Sequence, residues 1–178
     1  YVSPYNDLEV MMGQGTIAAE IEEQVGALDA VFVSLGGGGL ISGLGGYLKA
    51  AHPETQAIAC SPERSPAMHE CLLAGNIIDV PCYDTLSDAT AGGVEEGAVT
   101  FATCQEVVDQ SLLVSEAEIL EATRSLIDDE HMLVEGAAGL ALAGLLKTAR
   151  AWKGKRVAVV LCGANIGRDK LRQVLTAT

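Results

Sequence analysis

Four consecutive glycines, Gly36-Gly37-Gly38-Gly39, separate a strand-like run from a helical pattern, and no other feature constrains the fold as tightly. Upstream, Asp29-Ala-Val-Phe-Val-Ser-Leu35 is β-branched and apolar, of strand length, and opened by a turn-favouring Asp. Downstream, residues 40–50 are too many for a loop and carry apolar side chains at helical spacing. Glycines lose backbone entropy on folding and add no side-chain packing. A chain keeps a run of them where the backbone must turn tightly, or where its own N–H groups must touch a ligand. At the mouth of a helix those N–H groups are unpaired and lie at the positive end of the macrodipole. Phosphate suits them best. A plain turn between strand and helix is the simpler alternative, but it ordinarily needs fewer glycines.

Charge narrows the class of partner. The 178 residues carry a formal net charge of −13, which would repel a nucleic-acid backbone. One phosphate held by backbone N–H groups escapes that objection, because the attraction is local. With 49% hydrophobic residues the chain can bury one core of ordinary size. No apolar run is as long as a membrane span, and the N-terminus lacks the basic-then-apolar plan of a secretory signal. The chain does not begin with Met, which leaves open that it is part of a longer product. Cys60, Cys71, Cys82, Cys104 and Cys162 form no C-x-x-C pair, and the three histidines form no ligand-spaced cluster. Structural zinc is not expected, and unpaired thiols in apolar surroundings suit a reducing compartment. A soluble, acidic, cytoplasmic domain is the expectation.

Strands and helices alternate along the chain. Residues 15–26 read as a helix capped by Thr16 and stopped by Gly26, and 29–35 as a strand. The helix after the glycines runs to about Ala51, and 56–60 form the next strand. Helical patterns follow at 66–74 and 97–105, separated by a stretch, 76–88, with turn residues and no firm period. Residues 110–114 read as a strand, and Ser115-Glu-Ala-Glu118 as a capping box opening a helix to about Glu130. A helix over 137–150, a buried strand over 156–161 and a closing helix over 168–175 complete the pattern. Alternation without hairpin signals predicts an α/β fold: one domain over 1–178, with a parallel sheet covered by helices on both faces.

In such sheets ligands sit at the carboxyl ends of the strands. Two loops there stand out, the tetraglycine after Leu35 and Cys162-Gly-Ala-Asn-Ile-Gly167 after the last strand. The second could set a weak donor and a carboxamide against one bound ring, although Cys162 also reads as a buried small hydrophobe.

Four motifs occur in order: Gly13-Gln-Gly-Thr-Ile-Ala18, Gly36-Gly-Gly-Gly-Leu-Ile-Ser-Gly43, Val134-Glu-Gly-Ala-Ala-Gly139 and Cys162-Gly-Ala-Asn165. Their sequence and separations resemble those of the serine/threonine dehydratases, pyridoxal-phosphate enzymes of the tryptophan-synthase-β fold type, over essentially the whole chain. The opening Tyr1-Val-Ser-Pro-Tyr-Asn-Asp7 resembles the segment by which that family leaves its small domain. The resemblance implies that Gly36, Gly37, Gly38 and Gly39 hold the cofactor phosphate through backbone N–H groups. It places Cys162 beside the pyridine nitrogen as a neutral partner, which suits β-elimination of a hydroxyl, with Asn165 shaping the same wall. Glu135 falls on the family's acidic position near the cofactor; a solvated helix-start carboxylate is the alternative. Thr90-Ala-Gly-Gly-Val94 resembles the loop that approaches the cofactor's face, with Gly92 where some relatives carry Asp.

Two departures matter. Relatives with a divalent cation site carry Glu where this chain has Ser61, so no metal is expected there, and Glu63 would substitute only with a changed loop. The family's cofactor-binding lysine, in a Ser-x-Lys-x-Arg-Gly context, and its small-domain Ser/Asn-Gly loop are both missing. Lys49, Lys147, Lys153, Lys155 and Lys170 read as ordinary solvated charges away from the strand ends. The chain thus resembles the C-terminal part of the large domain, with no regulatory domain after Thr178. It is either a fragment or a truncated product, and no catalytic residue is assigned to it apart from the possible Glu135.

The resemblance implies part of an ammonia-lyase that turns serine, threonine or a hydroxylated relative into a 2-oxo acid and ammonia, as a homodimer acting on a small-molecule substrate. The stretch alone is expected to be inactive. A truncated, non-catalytic phosphate- or partner-binding domain is the alternative. A dinucleotide-binding domain fits less well, because four successive glycines are not G-x-G-x-x-G and no acidic residue sits at a strand end about 20 residues on.

Overall fold

Every residue of β1 (Ala30–Ser34) is buried, as an unbroken apolar run requires of a parallel strand covered on both faces. The computed structural model describes residues 1–177. β1 pairs in parallel with β2 (Gln56–Pro62) and with β4 (Val157–Val159), and β2 pairs in parallel with β3 (Gln110–Val114). The strand order is β3-β2-β1-β4. Helices α1 (Leu8–Val25), α2 (Gly39–Ala51), α3 (Ala67–Ala74) and α4 (Val99–Val107) cover one face. Helices α5 (Glu116–Asp128), α6 (Gly136–Thr148) and α7 (Arg168–Thr176) cover the other.

The strand period assigns the side chains to these layers. Val31 and Val33, with Leu35 just past the strand, pack with Ala18, Ile41, Leu44, Met68 and Cys104. Ala30 and Phe32 point the other way, to Ile119, Ala122, Leu140 and Val174, and Phe32 meets Trp152 edge-on at 5.6 Å. Each large side chain so enclosed contributes about 1.5–3 kcal/mol. The amino ends of the strands are stapled by carboxylates. Asp29 accepts from Lys155 Nζ at 2.9 Å and from the Arg156 amide at 2.8 Å, and Asp109 accepts from Lys49 Nζ at 2.6 Å and from the Ala57 amide at 2.7 Å. The carboxyl ends are left to the loops. Among the described residues no helix is long and apolar enough to cross a membrane.

Several expectations need correction. α1 begins at Leu8 rather than Gly15, because Asp7 Oδ1 caps it, accepting from the Glu9 and Val10 amides at 2.8 and 3.2 Å. Thr16 lies inside the helix and donates back to the Gly13 carbonyl. Gly15 lies within the helix and is buried where α1 crosses α2 closely. A Cβ at Gly43 would come within 1.9 Å of the Met11 carbonyl oxygen. α4 starts two residues later than the pattern suggests, after a turn in which Gly97 has φ +72°. The last strand is shorter than 156–161, although the Val160 amide still reaches the Phe32 carbonyl at 2.9 Å. Cys82 and Cys162 are exposed, whereas Cys60, Cys71 and Cys104 are buried. The lysines are not simply solvated. Lys49, Lys147, Lys155 and Lys170 all form ion pairs, and Lys170 also donates to the Thr85 carbonyl at 2.5 Å, on the strand-end side of the sheet.

Candidate active site

At the carboxyl end of β1 the glycine run turns the chain into α2. Gly38 takes φ +90°, a left-handed conformation that a side-chain-bearing residue adopts only under strain. Contact also demands glycine along the run. A Cβ at Gly36 would lie 2.8 Å from Thr90 Cα, at Gly37 2.4 Å from the Tyr5 ring, at Gly38 2.8 Å from Cys104 Sγ, and at Gly39 2.7 Å from Tyr5 Cα. α2 has no side-chain cap, and among the described residues none of the Gly36–Gly39 amides donates to a protein acceptor. They are free donors at a helix N-terminus bordering a cavity of about 220 Å³.

The opposite wall comes from α6 and the loop after β4. Glu135 occupies the N-cap position of α6 but does not cap its own helix. Its Oε2 accepts from the Asn165 amide at 2.9 Å, and its own amide donates to the Gly163 carbonyl at 3.1 Å. The loop Cys162–Asn165 is therefore held to the start of α6. Burial, and then the neighbouring Glu135 carboxylate, push the Cys162 thiol upward, so it is a neutral S–H at ordinary pH. Cys60 and Cys104, pushed up by burial to about 12 and about 11, are inert packing groups.

The cavity brings together Gly36 to Gly39, Glu135 and Cys162, which the sequence had singled out, with Thr90 between them. Asn165 is not among its lining residues; it is exposed and contributes its backbone amide to Glu135. The 90–94 loop also enters differently from the expectation. Ala89 and Thr90 line the cavity, whereas Gly92, Gly93 and Val94 do not. The reason is the 3₁₀ turn Asp88–Thr90, where Thr90 Oγ1 bonds to Ser87 Oγ and to the Ser87 carbonyl, each at 2.8 Å. Sequence reasoning gave Pro4 and Tyr5 of the opening segment no role at the site, yet they form its third side. No local pattern marks them, since only the folded chain lays them over the glycines.

Ser61, the position of the expected missing cation ligand, donates its hydroxyl to the Leu35 carbonyl at 3.2 Å. Glu63 lies 3.9 Å from Lys147, and no group of three or more His, Cys, Asp or Glu gathers to hold a metal among the described residues. A larger concavity of about 430 Å³ between α1 and α2 is lined by Leu8, Met11, Met12, Tyr47 and small residues. It offers an apolar wall without charged groups. Size alone therefore does not choose the site; the free amides do.

Comparison with known proteins agrees with this fold. The family model described as pyridoxal-phosphate dependent enzyme matches residues 1–163. A β-hydroxyaspartate dehydratase of Paracoccus denitrificans is 37% identical over 171 residues, covering 96% of this chain and 54% of that protein. An L-threonine ammonia-lyase of Thermotoga maritima is 35% identical over 175 residues, covering 98% of this chain and 43% of that one. The solved structure of the processed form of threonine deaminase isoform 2 from Solanum lycopersicum matches with a TM-score of 0.90 and 32% identity, over 98% of this chain and 51% of that chain. The chain spans about half the length of the curated relatives it matches. A dinucleotide-binding domain is thereby set aside. On sequence and fold together, the chain belongs to the pyridoxal-phosphate-dependent enzyme family.

Proposed function

We propose that this chain is a single α/β domain, the cofactor-phosphate half of an ammonia-lyase that converts a β-hydroxy amino acid into a 2-oxo acid and ammonia. The observation that carries the reading is the row of unpaired amides from Gly36 to Gly39 at the mouth of α2, facing a cavity. They fit a phosphate dianion, since the helix N-terminus and aligned N–H dipoles favour negative charge without a cationic side chain. Pyridoxal phosphate, when bound, supplies the electron sink for losing the α-proton and the β-hydroxyl.

The chain's own residues bind and shape. Gly36 to Gly39 hold the phosphate. Thr90 braces the loop from beneath, and Cys162 presents a neutral group to the ring side of the cavity. Glu135 fixes the Cys162 loop on that side. No lysine borders the cavity among the described residues, and in this reading the chain supplies binding groups rather than the proton-moving one. We place the intact enzyme in the cytoplasm as a homodimer, and no metal at Ser61.

The test is turnover. The full-length protein carrying this chain, incubated with pyridoxal phosphate, should release 2-oxo acid and ammonia from serine, threonine or 3-hydroxyaspartate. The 178-residue stretch should release none. Release by the stretch alone would contradict the division of roles. A full-length protein that binds cofactor and turns over none of the three would favour a non-catalytic domain.

A further inference from the structure

The tetraglycine turn is gripped from two sides. In front, the Tyr5 ring lies against Gly37 and the Tyr5 backbone against Gly39. Behind, Cys104 and Thr100 of α4 close on Gly38. The front grip is a short segment, residues 3–7, that no strand or helix bonds hold in place until α1 begins. Such a segment opens locally at little cost unless something ties it down.

One side chain makes that tie. Asn6 Nδ2 donates to Glu95 Oε2 at 2.6 Å, and the Tyr5 phenol faces the same carboxylate. Asn6 Oδ1 accepts from the Val99 amide at 2.9 Å. That amide opens α4, whose own N-cap residue, Ala98, has no side chain able to accept it. Glu95 is held in turn by the bend before α4, where its carbonyl accepts from the Ala98 amide at 3.1 Å. The front and the back of the grip are therefore joined through Glu95 and Asn6. An exposed carboxylate with one donor would mean little. Here two consecutive residues of one strap converge on it, and both belong to the turn's covering.

We infer that Glu95 is a positioning residue, which fastens the strap Ser3–Asp7 to the start of α4 and thereby holds Tyr5 over the tetraglycine phosphate cradle. The inference rests on the phosphate reading proposed above. Glu95 touches no cofactor atom in this account; it acts through Tyr5 and Asn6.

The experiment uses the full-length protein carrying this chain, as wild type, Glu95→Ala, Asn6→Ala and the double variant. Two quantities are measured: hydrogen exchange of the amides of residues 3–7 and 36–39 without cofactor, and affinity for pyridoxal phosphate and for pyridoxal by equilibrium dialysis. Glu95→Ala should speed exchange in both segments. It should weaken pyridoxal phosphate by about tenfold, the scale of one lost charge-assisted bond, with the thermal midpoint held. The double variant should lose less than the sum of the singles, since both act through one tie. Glu95→Gln keeps one acceptor oxygen and should restore part of the affinity. Unchanged exchange and unchanged affinity in Glu95→Ala would overturn the positioning role alone. Wild type that binds pyridoxal phosphate no better than pyridoxal would instead overturn the phosphate reading.

Discussion

Two strand exits face each other across the cavity and are held by different physics. The exit of β1 is set by packing. Its glycines sit so close to Thr90, Tyr5 and Cys104 that no side chain fits, and Gly38 takes a left-handed conformation as well. The exit of β4 is exposed; Gly163 there also takes φ +113° with Glu135 where a Cβ would go, and Glu135 ties the loop through the Asn165 amide and the Gly163 carbonyl. The first is rigid because its alternatives collide. The second has one such glycine and adds to it a charge-assisted bond from the Asn165 amide to Glu135. Substitution of the glycines should therefore act on the first through folding, and substitution of Glu135 on the second through electrostatics.

The sharpest way to break the contrast is Gly38→Val. A β-branched residue at φ +90° against Cys104 should cost about 3 kcal/mol or more, read as a fall in the urea midpoint. Gly37→Val meets the Tyr5 ring instead, which can move with its strap. It should abolish phosphate binding by calorimetry while the midpoint changes less. Equal stability losses in the two variants would show that the turn is not graded as described.

At the other exit, Glu135→Gln removes the carboxylate that accepts from Asn165 and helps hold the Cys162 thiol above its ordinary range. Glutamine keeps one acceptor oxygen, so the charge-assisted bond falls to a neutral one, a loss of about 1 kcal/mol, and exchange across 162–165 should speed up. Burial still raises the thiol, but removing the negative neighbour stabilises the thiolate. The midpoint of Cys162 alkylation against pH should therefore move down. An unmoved midpoint would detach Glu135 from Cys162. In the full-length protein, Cys162→Asp should lower kcat on the order of tenfold, about 1.4 kcal/mol of barrier, because a carboxylate would favour a protonated ring. Cys162→Ser should keep most activity.

The smallest effect lies away from both exits. Ser115→Ala removes one half of the capping box of α5, for about 1 kcal/mol of stability and no change at the cavity. Burial alone would raise the Glu118 carboxyl, but the Ser115 amide and hydroxyl and Lys147 outweigh it and hold the group below its ordinary value. That stabilisation is full above the ordinary carboxylate range and is lost as pH falls through the lowered one. Acid unfolding of Ser115→Ala should accordingly show a shallower loss over that window than wild type.

Legibility in the sequence follows the same contrast. β1 and its buried period were readable because parallel strands in a covered sheet are apolar throughout. The capping box was readable because it is local. The start of α1 was not, since Gly15 looks like a helix boundary until it is seen to lie against Gly43 of α2. Gly36 to Gly39, Glu135 and Cys162 can be grouped from motif order, and the fold lays them round one cavity. Asn165 was misjudged because its backbone, not its carboxamide, does the bonding. Tyr5 and Glu95 are 90 residues apart and meet only in the fold, so no spacing announces them.

The central claim is that the amides of the tetraglycine turn, rather than any side chain, hold a phosphate. Amide chemical shifts of Gly36 to Gly39, followed in the full-length protein as pyridoxal phosphate and then pyridoxal are added, test it most directly. The account predicts downfield movement of these four amides with pyridoxal phosphate and none with pyridoxal. The same movement with both ligands, or with neither, would contradict it.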